Sequence, residues 1–354
     1  MSDVDDRRAP SAIATRPCPR CYLCDATGEL LYRDLSDRLF SAPGEWTLKR
    51  CPNPACGLIW LDPMPLEAEL WKAYATYYTH PDDQRAGAGL AARVYAAVRD
   101  GYLHSRYGYP ARPARRWLAP LMYLHPGARA ETDAGIAYQP MPVGGRRLLD
   151  VGCGDGSLVA YLSGLGWDAE GIDVDSAAVA AARRQGLRVQ LGTLASEPYP
   201  PRSFDVLTMS HVIEHVIDPI ALLRDCHRVL QPGGTLVLFT PNVESWGHDR
   251  FREAWLGLDP PRHLYLFRSA TLRTCLDRSG QWTVESLRTT IRGAGGNLSG
   301  SAAISRKGRY RMATVFQMGA LTMLAAHLWY FRSWRVARRH PGAGEELALI
   351  ARAA

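Results

Sequence analysis

Between Arg146 and about Arg288 the chain alternates short apolar runs with amphipathic stretches, and the first run ends directly on glycines: Arg147-Leu-Leu-Asp-Val151 is followed by Gly152-Cys-Gly154-Asp-Gly156. An apolar run of this length, with no polar alternation, predicts a parallel strand buried on both faces. The stretch after it, Gly156 to Gly166, has helical spacing and a glycine stop. The same rhythm continues as a strand over 168–173, a helix over 176–185 with Ser176 as its N-cap, and strands over 187–191 and 204–210. A helix over 219–230 and a strand over 235–240 follow, the latter after Pro232-Gly233-Gly234. Strands alternating with helices require a parallel sheet covered on both faces, so the expected fold class is α/β, doubly wound and Rossmann-like.

A glycine turn between strand and helix lets a ligand approach the backbone at the carboxyl end of the strand. The spacing here is GxGxG, not the GxGxxG that cradles a dinucleotide pyrophosphate. Asp150 ends the strand, where it would repel a pyrophosphate but suits a cationic ligand; both features argue against a nicotinamide oxidoreductase. Asp173 ends the next strand, placed to accept hydrogen bonds from ribose hydroxyls or, in the plainer reading, to cap the following helix, and Asp175 lies beside it.

The segments LLDVGCGDG, GIDVD, FDVLTMSHVIEHVIDP and LQPGGTLVLFTPN, in that order, resemble the class I S-adenosylmethionine-dependent methyltransferases, within them the branch that includes the ubiquinone-biosynthesis O-methyltransferases. The resemblance covers about 146–289. It implies a seven-stranded, mostly parallel sheet and S-adenosyl-L-methionine as cofactor. Asp150, Gly152 and Gly154 would hold the methionine end, Asp173 the ribose, and Gly192-Thr193-Leu194 would border the adenine. Thr193 stands where many relatives place an acid. Cys153, Gly156, Val174 and Ser210 complete the expected cofactor crevice.

His211-Val-Ile-Glu214-His215 fits the HxxEH pattern of one zinc-peptidase class, but that chemistry needs both histidines on one face of a regular helix. This element sits at a strand-to-helix junction beside the crevice, on the acceptor side. Methyl transfer to oxygen is an in-line displacement at a sulfonium, so the protein aligns reactants and removes a proton. His215 or His211 could be the base, and His263, on an Asp259-Pro-Pro-Arg-His263 loop, is a further acceptor-side candidate. The resemblance also implies that Glu214 and His215 can help hold a divalent cation; a purely structural role, fixing the junction by hydrogen bonds, stays open.

Five of eight cysteines lie at 18, 21, 24, 51 and 56. Cys21-x2-Cys24 and Cys51-x4-Cys56 read as two knuckles of a closed structural zinc site, with Cys18 a competitor for a place. The charges between Cys18 and Pro65 are balanced, so this zinc-ribbon-like module (18–65) lacks the basic footprint of a nucleic-acid binder. Met1 to Pro17 lacks an apolar core and reads as a disordered leader, with a cytoplasmic protein as the expectation. Residues 66–142 are helical in character but broken by prolines, and read as a linker or acceptor lid. The methyltransferase domain spans 143–354 with an insertion at 290–344.

The net charge of +7 is concentrated: eight basic residues and no acid lie between Ser305 and His340, flanking the uncharged run Met312–Phe331. A single membrane crossing is excluded, because Trp282–Arg288 and Glu346–Ala351 read as adjacent strands of one sheet and both ends of the insertion must return to it. Two readings remain for 305–340: an interfacial helix on an anionic membrane, with Trp329, Tyr330 and Phe331 as anchors, or a lid or dimer helix packed on residues 90–125. The expected function is methylation of a hydroxyl on a small molecule, lipidic or a saccharide precursor; a catalytically degenerate scaffold is the alternative.

Overall fold

The computed structural model describes residues 12–75, 89–196, 199–310 and 320–354. Most of the leader and Met312–Gly319 of the uncharged run lie outside the described residues.

The chain begins with β1 (Thr15–Arg16), β2 (Glu29–Leu35), β3 (Trp46–Arg50), β4 (Ile59–Leu61) and β5 (Met64–Pro65). Of these, β2, β3 and β4 form an antiparallel sheet whose fourth strand comes from far along the chain: β11 (Tyr265–Leu266) pairs with β4 through Tyr265↔Trp60 and Leu266↔Ile59. The cysteine module is thereby fused to the body. Trp60, Leu58 and Leu61 share one buried apolar cluster with Leu207, Leu236 and Leu264. Polar ties reinforce the seam: Tyr22 Oη donates to Asp218 Oδ1 (2.5 Å), Arg278 Nη1 to the Leu23 carbonyl (2.7 Å), and Arg268 Nε to the Cys56 carbonyl (2.7 Å).

A 3₁₀ helix at Glu67–Tyr74 leads to α1 (Leu90–Tyr107), α2 (Pro113–Arg116), a 3₁₀ stretch at Ala119–Leu124 and α3 (Pro126–Gly135). Pro113, Pro120 and Pro126 each stand in the first turn of a helix, where the missing N–H costs nothing.

The body follows as β6 (Arg147–Val151), α4 (Ser157–Gly164), β7 (Asp168–Asp173), α5 (Ser176–Arg184), β8 (Val189–Leu191), β9 (Phe204–Ser210), α6 (Pro219–Val229), β10 (Leu230–Pro241), α7 (Trp246–Phe251), then β11, α8 (Ser269–Ser279) and β12 (Trp282–Thr290). The insertion carries α9 (Ala294–Lys307) and α10 (Ala320–Arg339), and β13 (Glu346–Ala353) closes the sheet. Its seven strands run in the order β12-β13-β10-β9-β6-β7-β8, with β13 antiparallel to both neighbours and the remaining pairs parallel. The expected doubly wound sheet is observed, with the antiparallel pair bridging the long insertion. Asp175, not Ser176, caps α5: its carboxylate accepts from the Ala177 and Ala178 amides, because Ser176 already has helical backbone.

Within the described residues α10 takes in Ala320–Phe331 of the uncharged run and the arginines that follow it. Among the described residues no helix is long and apolar enough to cross a membrane. Trp329 and Tyr330, expected as anchors, turn inward: Trp329 meets Trp246 and Phe251, and Tyr330 packs on Gly127 and Gly295.

One guanidinium joins the cysteine module to the body. Arg262 is fully buried and donates to both oxygens of Asp37 (2.8 and 2.9 Å), to both of Asp259 (2.9 and 2.5 Å) and to the Ala73 carbonyl (3.0 Å). Burial alone would raise the Asp37 carboxyl, but Arg262 and the amides of Phe40 and Ala42 hold it below the usual carboxylate range. Removing one member of such a cluster leaves buried charge uncompensated. Arg262→Met is therefore expected to lower unfolding free energy by about 3–5 kcal/mol, read from the urea midpoint at unchanged slope.

Candidate active site

The glycine loop leaves β6 with Gly152 and Gly154 at φ +73° and +53°, in the left-handed region that favours glycine. A Cβ on Gly152 would come within 2.3 Å of Val212, so a bare α-carbon lets the loop lie directly against the HVIEH element. A Cβ on Gly154 would meet nothing within 4 Å; it would stand in open crevice. Asp173, at the tip of β7, accepts the Gly154 amide on Oδ2 (2.7 Å) and the Asp175 amide on Oδ1 (2.8 Å), so it braces the loop and does not cap α5. Asp150 is buried beneath the loop and accepts the Thr208 hydroxyl (2.6 Å). Burial raises its pKa to about 7; the Thr208 hydrogen bond and Arg292 oppose the rise, and Asp173 adds to it.

The other expected crevice residues divide. Val174 presents an exposed apolar side chain beside Asp173, and Thr193 lies in an exposed turn closed by Ser196. Leu194 is core, and the Cys153 side chain turns toward Gly171, which leaves only their backbone available. Gly156 faces Leu187, where a Cβ would come within 2.7 Å; it is a packing glycine. Ser210 accepts from Arg292 Nη2 (2.7 Å).

The candidates His211, Glu214, His215 and His263 lie together. His211 has φ +56°, an uncommon state for a non-glycine residue, with its amide donating to the Phe239 carbonyl (3.0 Å). Its ring lies between two carboxylates, Nδ1 at 3.1 Å from Glu214 Oε1 and Nε2 at 2.7 Å from Glu346 Oε1. Burial opposes its charge, but hydrogen bonds to both acids raise its pKa to about 10, so His211 is an imidazolium at neutral pH. Glu214 is fully buried and also accepts the Thr240 hydroxyl (2.9 Å); burial would raise its pKa, yet His211 and the neighbouring histidines hold it near 2.

His215 is the opposite case. Burial, with the nearby His263, lowers its pKa to about 4 against the pull of Glu214 and Asp259, and the ring is neutral at pH 7. Its Nδ1 lies 3.0 Å from the Arg262 carbonyl and 2.9 Å from Tyr74 Oη. A carbonyl only accepts, so this contact favours the proton on Nδ1 and a lone pair on Nε2. His263 follows the same rule, with Nδ1 at 2.8 Å from the Gly257 carbonyl and Nε2 3.9 Å from Glu214 Oε1. One ligand atom each from Glu214, His215 and His263 lie within 4.8 Å of one another. Two imidazoles whose N–H groups are held by carbonyls, beside an ionised carboxylate, form a donor set that fits a divalent cation. His263 completes this group beyond the Glu214 and His215 of the sequence motif. Tyr74, Arg262, Arg292 and Glu346 were not singled out from the sequence; the one available signal was Glu345-Glu346 opening an otherwise apolar strand.

Cys21, Cys24, Cys51 and Cys56 also form a group within 4.8 Å, with Cys21 and Cys56 sulfurs 3.6 Å apart and Cys24 and Cys51 sulfurs 3.3 Å apart. Zinc–sulfur bonds of about 2.3 Å in a tetrahedron place sulfurs about 3.8 Å apart, so the cluster fits a structural zinc. Cys18 is outside it, its amide donating to Asp62 and its carbonyl accepting from Trp60.

The sheet order and the glycine loop after β6 agree with the Rossmann-like fold expected from the sequence. Residues 114–286 match the family model described as a methyltransferase domain. A protein of Mycolicibacterium smegmatis named as a probable S-adenosylmethionine-dependent methyltransferase is 33% identical over 164 residues, 45% of this chain and 62% of its own length. A ubiquinone biosynthesis O-methyltransferase of Xanthomonas campestris pv. campestris is 39% identical over 141 residues, 36% of this chain and 57% of its own length. An S-adenosylmethionine-dependent methyltransferase structure from Mesorhizobium loti aligns with TM-score 0.43 and 22% identity, over 63% of this chain and 97% of that one. The chain thus spans about three fifths of these two curated relatives. Over residues 114–286 the chain thus resembles a methyltransferase domain, and the curated relatives that align with it are named as methyltransferases.

Zinc analysis of the purified protein is expected to give about one equivalent per chain, falling well below that in Cys51→Ser.

Proposed function

We propose that this protein transfers the methyl group of S-adenosyl-L-methionine to a hydroxyl oxygen of a small molecule, lipidic or a saccharide precursor. The observation that carries the proposal is the direct contact of Gly152 with Val212. It brings the glycine loop against the HVIEH element, whose His215 has a neutral, proton-accepting imidazole. The cofactor supplies an activated methyl sulfonium. Asp173 would accept its ribose hydroxyls, the opening above Gly154 would take its backbone approach, and ionised Asp150 would face its cationic methionine end.

In the transfer the acceptor oxygen attacks the methyl carbon, the sulfur–carbon bond breaks, and S-adenosylhomocysteine leaves. The hydroxyl proton passes to Nε2 of His215, whose Nδ1–H is fixed by the Arg262 carbonyl. His211, already protonated and clamped by two acids, is unsuited to accept it and instead holds Glu214 ionised. The named activity of the ubiquinone-type relative, together with this base, supports a hydroxyl acceptor.

The convergent donor atoms of Glu214, His215 and His263 favour a second reading, in which they hold a divalent cation that acidifies the acceptor hydroxyl. Turnover that survives chelation points to the base. Turnover lost on chelation and restored by magnesium or manganese, but not in His263→Ala, points to the cation.

The first test is calorimetric binding of S-adenosylhomocysteine. A charge-assisted hydrogen bond is worth about 1.5–3 kcal/mol, so Asp173→Ala is expected to weaken binding about tenfold or more. No binding by the zinc-loaded wild type would overturn the proposal and leave a scaffold. Because the folded-state pKa of Asp150 is raised to about 7, it is protonated below that pH. Affinity for a cationic cofactor end should therefore rise from pH 6 to pH 8 and level off, and Asp150→Asn should be weak and flat across that window. His215→Ala is expected to lower kcat by about 10²-fold or more at unchanged cofactor affinity, measured by methyl transfer once an acceptor is found.

A further inference from the structure

We infer that the face formed by the 113–124 segment and α10 is a docking surface for an anionic lipid bilayer. Ala119 and Met122 of the 3₁₀ stretch point into the core, and three-per-turn spacing puts Leu121 and Leu124 together on the outside. Leu124 is 73% exposed, and Trp117, just before it, 85% exposed. On α10 the exposed Leu324, Leu328 and Phe331 stand at i, i+4 and i+7, one stripe of a helix. The two patches adjoin: His125, which ends the 3₁₀ stretch, has ring contacts with His327 (5.4 Å) and Phe331 (5.9 Å) of α10. Scattered exposed apolar residues need no explanation, but a contiguous set of large ones marks a contact surface.

Charge decides the occupant. Exposed Arg112 and Arg116 border the first patch, and exposed Arg332 and Arg335 border the second. Neither 113–129 nor 320–340 contains an Asp or Glu. The nearest carboxylate on α1, Asp100, is paired with Arg99 and Arg115. An apolar face whose own two segments carry only basic charge suits headgroups that are anionic over an apolar interior, with Glu131 at its edge engaged by Tyr330 and the Gly293 amide, whereas a second copy of this face would set arginine against arginine. Trp329 and Tyr330 are spent on internal packing, so Trp117, Leu124, Leu328 and Phe331 take the anchoring part.

The test uses the full-length, zinc-loaded protein and vesicles of phosphatidylcholine with or without about one third phosphatidylglycerol. Co-sedimentation is expected with the anionic vesicles at low salt and is expected to fall steeply with added salt or without phosphatidylglycerol. Leu124→Glu/Leu328→Glu should weaken vesicle binding by about tenfold or more, and Arg332→Gln/Arg335→Gln severalfold, both with unchanged S-adenosylhomocysteine affinity as the control for folding. Absence of wild-type binding to anionic vesicles overturns the proposal, as does wild-type binding by the Glu double variant. A dimer in sedimentation velocity that the same variant converts to monomer, without vesicle binding, assigns the face to self-association instead. Cofactor binding is read separately, so failure here leaves the methyltransferase proposal standing.

Discussion

A guanidinium with no access to solvent holds the two ends of this molecule in one arrangement. Arg262 is charged in an interior that disfavours charge, and it is tolerable there because it makes five hydrogen bonds to two carboxylates and a carbonyl. Asp37 comes from the loop after β2, Ala73 from the 3₁₀ helix after the cysteine module, and Asp259 from the turn before β11. The same turn sets the acceptor side: the Arg262 carbonyl faces His215, and His263 is the next residue. The placement of the cysteine module and the tautomer of His215 are consequently one constraint. The cluster of Cys21, Cys24, Cys51 and Cys56 lies just before β4, to which β11 pairs beside the loop that presents His263.

The charges around Val212 are arranged by side. Asp150 and Asp173 face the glycine loop, and no basic side chain donates a hydrogen bond to either among the described contacts, which suits a ligand that brings its own positive charge. Beyond Val212 the order along the site is acid, imidazolium, acid: Glu346, His211, Glu214. This chain of alternating charge keeps Glu214 ionised inside the protein, while burial keeps His215 neutral a few ångströms away. Two histidines four residues apart thus differ in pKa by several units for identifiable reasons: one has two carboxylate partners, the other has a carbonyl and a phenol.

Much of this was legible in the sequence because it depends on local pattern. Buried parallel strands must be apolar runs, a close ligand approach must use glycine, and four thiolates must come in knuckles; β6, the loop at 152–156 and Cys21, Cys24, Cys51 and Cys56 all follow. Even the pairing of β12 with β13 across the insertion was readable, since both ends had to rejoin one sheet. What local pattern cannot carry is pairing between distant residues. The two-residue β11 has no period of its own and is a strand only because Trp60 and Ile59 stand beside it. Arg262 and Asp37 are 225 positions apart, and each alone reads as an ordinary surface charge. Ser176 reads as the cap from its residue type, and only backbone geometry shifts the cap to its neighbour Asp175. Trp329 and Tyr330 have the composition of interfacial anchors, but their direction depends on α3, α7 and α9, which occupy that side of α10.

The insertion is rooted in the site. It leaves the sheet just after β12, where Arg292 donates to Ser210 and stacks over Phe239, and it returns at Glu346, which holds His211. Glu131 on α3 accepts the Gly293 amide and lies 3.9 Å from Arg292, while the Tyr330 hydroxyl of α10 donates to the same carboxylate. The helices that bear the exposed apolar face are therefore tied by short polar contacts to the residues around the fourth strand's tip. The insertion thereby connects a surface helix to His211 through three side chains, Glu131, Arg292 and Glu346.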